Sequence, residues 1–335
     1  MRSHVVRGLL AGLLLFSVAP ATAQLFRAYL ALDGLDTNPC TLQQPCRLLP
    51  AAINAVASGG EIWMLDSANY NAGPVAITKS VTILAVPGAL GSVVALGGAA
   101  VVIATPGVNV ALRNVHIRPF PGNEAQLGIH MSDGARLMLD GCVVEGFEGG
   151  GGHGLVVLAP AHVAIIGGVF RGNYTAATFD HGATARISRS HFTEGTYGIS
   201  AGAEVTGTTR IFVTHTHVSH FGYGIYTETT TATGVTRVYV SDAVVESNVY
   251  GIRGNAGVGE TSRVFVANSL VAANTTGIQS NGSGSRIVVS GSTILDNGTA
   301  LVQSVSAVLE SAGNNILRDN VSNSSGTVTT VPGTL

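Results

Sequence analysis

Ionisable side chains recur in this sequence at nearly constant intervals, and the interval decides which of them can act together. His191 and His217 stand 26 positions apart, as do Glu194 and His220, while His215 and Asp242 stand 27 apart. If that interval is one winding of the chain, Glu194, His217, His220 and Asp242 fall in one patch. Such a patch has enough carboxylate and imidazole for general acid/base work on a sugar, or for a bound cation. Asp180 and Glu228 share a column two windings apart, about 9.6 Å at β-sheet spacing. Inverting hydrolases use paired carboxylates about 6.5 to 9.5 Å apart, so that pairing is loose. His215-Thr216-His217 on its own is a weak metal motif.

A second set of residues suits recognition rather than catalysis. Arg210, Arg237, Arg263 and Arg286 each open an aliphatic block, and Phe212, Tyr239 and Phe265 follow two places later. Guanidinium forks match the carboxylates or sulfates of an anionic polymer, and aromatic faces stack on sugar rings. The plainer alternative is packing, since same-face neighbours on a sheet contribute about 0.2 to 1 kcal/mol per pair and the arginines can bond loop carbonyls. Yet four like charges at one-winding spacing repel one another unless anions lie nearby.

The elements that position these residues follow from a repeat. Tyr197-Gly198-Ile199, Tyr223-Gly224-Ile225, Tyr250-Gly251-Ile252 and Thr276-Gly277-Ile278 return every 26 or 27 residues, with a β-branched block in phase. A fixed period of that length means stacked units, not a globular core. Alternation within the block directs Ile211, Val238, Val264 and Ile287 inward. A second inward column runs Phe170, Phe192, Val218, Val245, Val271 and Ile294; a third runs Ile129, Leu155, Ile199, Ile225, Ile252 and Ile278. Three short strands per winding are expected, about ten coils in all, on the order of 50 Å long at the strand spacing. Asn173, Asn248, Asn274 and Asn297 share one bend and are expected to hydrogen-bond to their copies above and below; as bend residues Asn173, Asn274 and Asn297 make poor glycosylation acceptors despite their sequons.

Composition and leader set the address. The chain has 335 residues, 11% charged and 6% aromatic, with 44 glycines and a formal net charge of -2, so neither nucleic acid nor an anionic membrane is an expected partner. Arg2 and Arg7 precede an apolar run, and Ala21-Thr22-Ala23 fits a signal-peptidase site. Residues 1–23 therefore read as a signal peptide, with no integral span left after cleavage, and the mature chain is expected to be secreted, periplasmic or at the cell surface. In an exported protein Cys40 and Cys46, six apart in a Pro-bounded loop, read as a local disulfide; no nearby Cys or His completes a metal site. Cys142 takes a repeat position otherwise held by Gly168, Ser190, Thr216, Ala243, Ser269 and Ser292, and reads as a small buried side chain.

Over roughly residues 60 to 320 these patterns resemble the right-handed parallel β-helix of the pectate-lyase-like superfamily. The opening from Asn38-Pro39-Cys40 to Cys46, then Arg47 to Val56 and Gly59-Gly60-Glu61, is similar to that of exported bacterial members. Leu48, Leu49, Ala52, Ile53 and Val56 lie at helical spacing, with Gly59-Gly60 as a stop, so a helix is expected to lid the first coil. The resulting division is 1–23 signal, 24–60 N-terminal cap with disulfide and helix, 61–313 parallel β-helix, and 314–335 irregular C-terminal cap and tail. The resemblance implies calcium held by clustered aspartates in lyases, or three aspartates in polygalacturonases. Asp133, Asp140, Asp180, Asp242 and Asp296 fit neither pattern, and no Ca2+ loop motif occurs, so no cofactor or metal is expected. The expectation is a monomeric, all-β solenoid whose side face binds an extended polymer, polysaccharide or cell-surface glycan above all. A polysaccharide lyase, hydrolase or epimerase, and a structural or adhesive protein without catalysis, are the alternatives.

Overall fold

The computed structural model describes residues 24–122 and 126–331; the segment read as a signal peptide lies outside the described residues. Within them the chain is an all-β parallel solenoid of about 10 turns with one helix. Three rows of strands run along it. One row is a 13-stranded parallel sheet from Leu25–Leu30 to Thr329–Thr330, here called the first face. The other two rows form a single 19-stranded sheet, because Val169–Asp180, His191–Ala203 and His217–Thr229 each continue around the bend that separates the second face from the third.

Register follows the repeat. Arg210 pairs with Arg237, Arg237 with Arg263 and Arg263 with Arg286, while Ile199, Ile225, Ile252 and Ile278 are successive partners on the third face. All three inward columns are buried, none of their members more than 1% exposed. The motif glycines have a steric cause. A Cβ on Gly198, Gly224, Gly251 or Gly277 would meet the next coil's carbonyl oxygen at 2.4, 2.7, 2.6 or 2.7 Å, closer than any side chain tolerates. Glycine lets these coils close up without a shift; Ala176 and Ala300 hold the same place in two other coils.

Polar stacks fill the corners. Asn248 donates from Nδ2 to Asn274 Oδ1, Asn274 to Asn297 and Asn297 to Asn320, each at 3.0 Å. Asn173 stands apart from this run: Gly195 and Phe221 hold its place in the two intervening coils, and its amide bonds Val144 and Phe147 instead. Asn173, Asn274 and Asn297 are buried, which removes their sequons from the surface. In the small-residue column Ser190, Ser269 and Ser292 each accept a backbone N–H from the coil before. Cys142 is buried there, with Sγ 3.2 Å from the Leu112 carbonyl, and burial pushes its thiol pKa up to about 11. It is an inert thiol at neutral pH.

At the N-terminal end the lid differs from its sequence reading. The helix is Leu49–Ala55, buries Leu49, Ala52 and Ile53, and stops before Val56, which already opens the strand Val56–Met64. Gly59-Gly60 lies inside that strand, where a Cβ on Gly60 would meet the Phe26 carbonyl at 2.4 Å. Helical spacing could not reveal this, because Val56 fits the inward face of either element. A strand at Leu25–Leu30 pairs in parallel with Val56–Met64 and takes the sheet beyond the helix. The Cys40–Cys46 disulfide is present beside it, and Trp63 packs edge-on to Tyr29 with Arg27 4.0 Å above its ring. Strand pairing likewise continues through Ile316–Arg318, Ser322–Ser325 and Thr329–Thr330 in the segment read as irregular cap.

Candidate functional site

On the first face two outward columns run side by side. One reads Arg136, His162, Thr184, Arg210, Arg237, Arg263, Arg286; its neighbour reads Met138, Ala164, Arg186, Phe212, Tyr239, Phe265, Val288. Both columns therefore stack as their spacing requires. The arginines differ in their partners. Arg286 makes a bidentate pair with Glu310 at 2.7 to 2.9 Å, and Arg263 donates to the carbonyls of Ser262 and Gly284. Arg210 and Arg237 have no ion pair among the described residues. Burial, then the charges of Arg286 and Arg237, push the Arg263 pKa down, which is the signature of like charges crowded together.

The aromatic column has a different geometry from a sugar platform. Phe212 and Tyr239 lie with ring centroids 4.9 Å apart and planes 8° off parallel, Tyr239 and Phe265 5.2 Å and 8°. Their faces are turned to each other, and the Arg186 guanidinium covers the free face of Phe212 at 4.6 Å. Ring edges, not faces, point at solvent. Where the column shrinks to Ala164 a trough of about 330 Å3 opens, lined by Arg136, Met138, His162, Thr184 and Arg186. Sequence reading missed this trough, although the single small residue in an otherwise bulky column was its signal.

The second face and its bends carry the acid/base candidates. Glu194 and His220 are successive residues at one bend, with φ of 63° and 62°, and His215 and Asp242 at the other, with φ of 47° and 52°. These are left-handed conformations that cost an L-residue free energy. The period that aligned them is thus partly the period of the bends. Asp242 lies at the start of the second-face row, before Val244–Glu246, whereas Glu194 and His220 lie at its end, inside His191–Ala203 and His217–Thr229; five residues of strand separate the two bends, about 16 Å. Glu194, His217, His220 and Asp242 share this side of the solenoid but do not converge on one point. Asp180 is buried and bonds the backbone N–H groups of His181 and Glu204, so it ties a turn and is no partner for the exposed Glu228.

Two tighter networks lie on the strands themselves. His191 Nε2 is 2.7 Å from His217 Nδ1, and His217 Nε2 is 2.9 Å from Glu246 Oε1. Burial and the His217 charge push the His191 pKa down. Towards the N-terminus, His116 Nε2 lies 2.7 Å from Glu145 Oε1, and Arg171 donates to the other carboxylate oxygen. Burial works to raise the Glu145 pKa, but the bonds and charges of Arg171 and His116 outweigh it and hold the carboxyl below its usual range. A cleft of about 390 Å3 opens here, lined by Arg118, Glu145, Glu148, Arg171 and Glu194. Glu145 and Arg171 are one-coil partners, but only Arg appears where the later coils have Thr193 and Ser219. The column regains a glutamate only at Glu246, four coils on, too sparse a recurrence to show as a period in the sequence.

The third face has its own ladder. Tyr197, Tyr223 and Tyr250 stack at 5.1 and 5.0 Å, within 8° of parallel, and Arg253 lies 4.9 Å from the Tyr250 centroid. Among the described residues no group of three or more His, Cys, Asp or Glu is placed to hold a metal ion, and no helix is long and apolar enough to cross a membrane.

No family profile and no curated protein matches the sequence. Solved structures do match in shape. The pectate lyase Pel9A is 13% identical over 90% of this chain and 78% of its own, at a TM-score of 0.52. XylC, solved in complex with xylose, is 8% identical over 83% of this chain and 69% of its own, at 0.60. The class is therefore settled by architecture: this chain has the pectate-lyase-like parallel β-helix fold. At such identities the likeness extends to the fold alone.

Proposed function

We propose that this is an exported β-helix protein, acting in the periplasm, at the cell surface or outside the cell, that binds an anionic polysaccharide along its first face. The observation that carries the reading is the row Arg210, Arg237, Arg263: three guanidinium groups at coil spacing, none in an ion pair with a carboxylate among the described residues. Two like charges one coil apart cost about 1 kcal/mol in water and more where the dielectric is lower. A polymer bearing regularly spaced anions relieves that repulsion. The sugar-ring edges would lie across Phe212, Tyr239 and Phe265, and the Ala164 trough with Arg136 and Arg186 would extend the path. Names of structural neighbours, a pectate lyase and a xylose complex, are in keeping with a saccharide ligand. The Cys40–Cys46 disulfide is in keeping with export.

Retention on an array of anionic and neutral glycans tests this. The wild type is expected to bind uronate or sulfated polymers and to release them as salt is raised; Arg237→Ala with Arg210→Ala is expected to lose at least tenfold in affinity while keeping the native melting temperature. No retention of the wild type on any anionic glycan ends the reading. A lyase, hydrolase or epimerase is the second reading, favoured by the Arg118–Glu145–Arg171–Glu194 cleft. Release of reducing ends or unsaturated uronates, lost in Glu194→Gln or Glu145→Gln, would establish it in place of simple binding.

A further inference from the structure

On the second face, His191 and His217 stand directly above one another in adjacent parallel strands. Their rings are tilted by 57° with centroids 4.5 Å apart, and the tilt points two nitrogens, His191 Nε2 and His217 Nδ1, at each other across 2.7 Å. Both rings are solvent-accessible, His191 exposed and His217 half-buried. The other nitrogen of His217 faces Glu246 Oε1 at 2.9 Å. A carboxylate there fixes the tautomer: Nε2 carries the proton and donates to Glu246, which leaves the Nδ1 lone pair directed at His191. A histidine whose far nitrogen is held by a carboxylate is the arrangement that orients and strengthens imidazole ligands to metal ions.

We propose that His191 Nε2 and His217 Nδ1 form a two-nitrogen site for a first-row divalent ion, with Glu246 as the carboxylate behind His217. Imidazole donors select copper, zinc or nickel over calcium and magnesium, and Cu2+ binds tightest in the series. Metal–nitrogen bonds of about 2.0 to 2.1 Å at a tetrahedral angle place the two nitrogens about 3.3 Å apart. The rings therefore have to part by about half an ångström, which surface side chains on strands do by small χ rotations. His191 exchanges its Nε2 proton for one on Nδ1, so the charge of each neutral ring is unchanged. Val169 below and Val244 above in the same column bring no competing charge. The remaining coordination positions face solvent and would take water, so the site is open. It uses none of the first-face arginines, and it stands or falls independently of glycan binding.

The test is titration of the purified chain with CuSO4 and ZnCl2 by calorimetry, with electron paramagnetic resonance of the copper form. Expected are one Cu2+ equivalent with hyperfine splitting from two nitrogens and a weaker Zn2+ equivalent at the same site. CaCl2 should compete with neither. His191→Ala or His217→Ala should weaken binding at least tenfold, and Glu246→Gln by about ten- to a hundredfold. All three positions are at the surface, so melting temperature and glycan retention should stay at wild-type values. The inference is overturned if the His191→Ala/His217→Ala double variant binds Cu2+ as the wild type does, if the copper signal shows a single nitrogen, or if Glu246→Gln has no effect.

Discussion

His153 and Glu145 show how single groups make the stability of this chain depend on pH. Burial pushes the His153 pKa below its usual 6.5. The unfolded chain therefore takes up that proton first as pH falls, and stability declines from about 6.5 downwards. Glu145 acts in the same direction lower on the scale: its carboxyl is held below the usual 4.5, so the stability it contributes is complete above that value and is lost as pH falls through the folded pKa. Urea midpoints should be level above pH 7 and drop in these two windows. His153→Gln should remove its share of the upper drop and leave the lower one, and Glu145→Gln the reverse. A curve that keeps its upper drop unaltered in His153→Gln rules out this assignment. Neither residue is repeated in the coils beside it; the next glutamate in the column of Glu145 is Glu246, four coils away. Their neighbours, Thr178 for one and Arg171 with His116 for the other, come from other coils and share no residue type.

At the scale of strands and bends, legibility tracked repetition. Inward columns, the arginine row and both aromatic ladders could be written from the sequence because each coil repeats the same residue type, and the register in the structure agrees. What spacing could not convey is side-chain direction: Phe212, Tyr239 and Phe265 face one another rather than solvent. Nor could it convey that Glu194, His220, His215 and Asp242 sit at left-handed bends. The asparagine ladder is the clearest structural element of this kind. Asn274 Oδ1 accepts both the backbone and the side-chain N–H of Asn248, while its own Nδ2 reaches Val245 and Asn297. Asn274→Ala strands at least two buried polar groups at about 1 to 3 kcal/mol each, so a loss of about 3 kcal/mol is expected in denaturant melts. Asn320→Ala, in the half-buried last ladder position, should cost less than half of that. Equal losses at the two positions would show that ladder continuity contributes nothing.

For the whole molecule, stability is close to a sum over neighbouring coils, because each coil touches only those beside it. The two ends are unlike. A helix, a disulfide and a cation over an indole close the N-terminal end, whereas the last strands, Ser322–Ser325 and Thr329–Thr330, are exposed and polar. Loss of order is expected to begin at the polar end and to travel inward. A Cys40→Ser/Cys46→Ser variant should therefore narrow the difference between the ends without altering the middle coils, as read by amide exchange.

The chromophores happen to be distributed so that this can be watched. The sole tryptophan, Trp63, reports on the closed end, and the parallel phenols of Tyr197, Tyr223 and Tyr250 report on the midsection. Indole fluorescence and near-ultraviolet dichroism are thus two gauges at different heights on one column. If heating makes the phenol signal vanish before the indole one, the chain unzips like a fastener with one sewn end; simultaneous loss would mean that it lets go all at once.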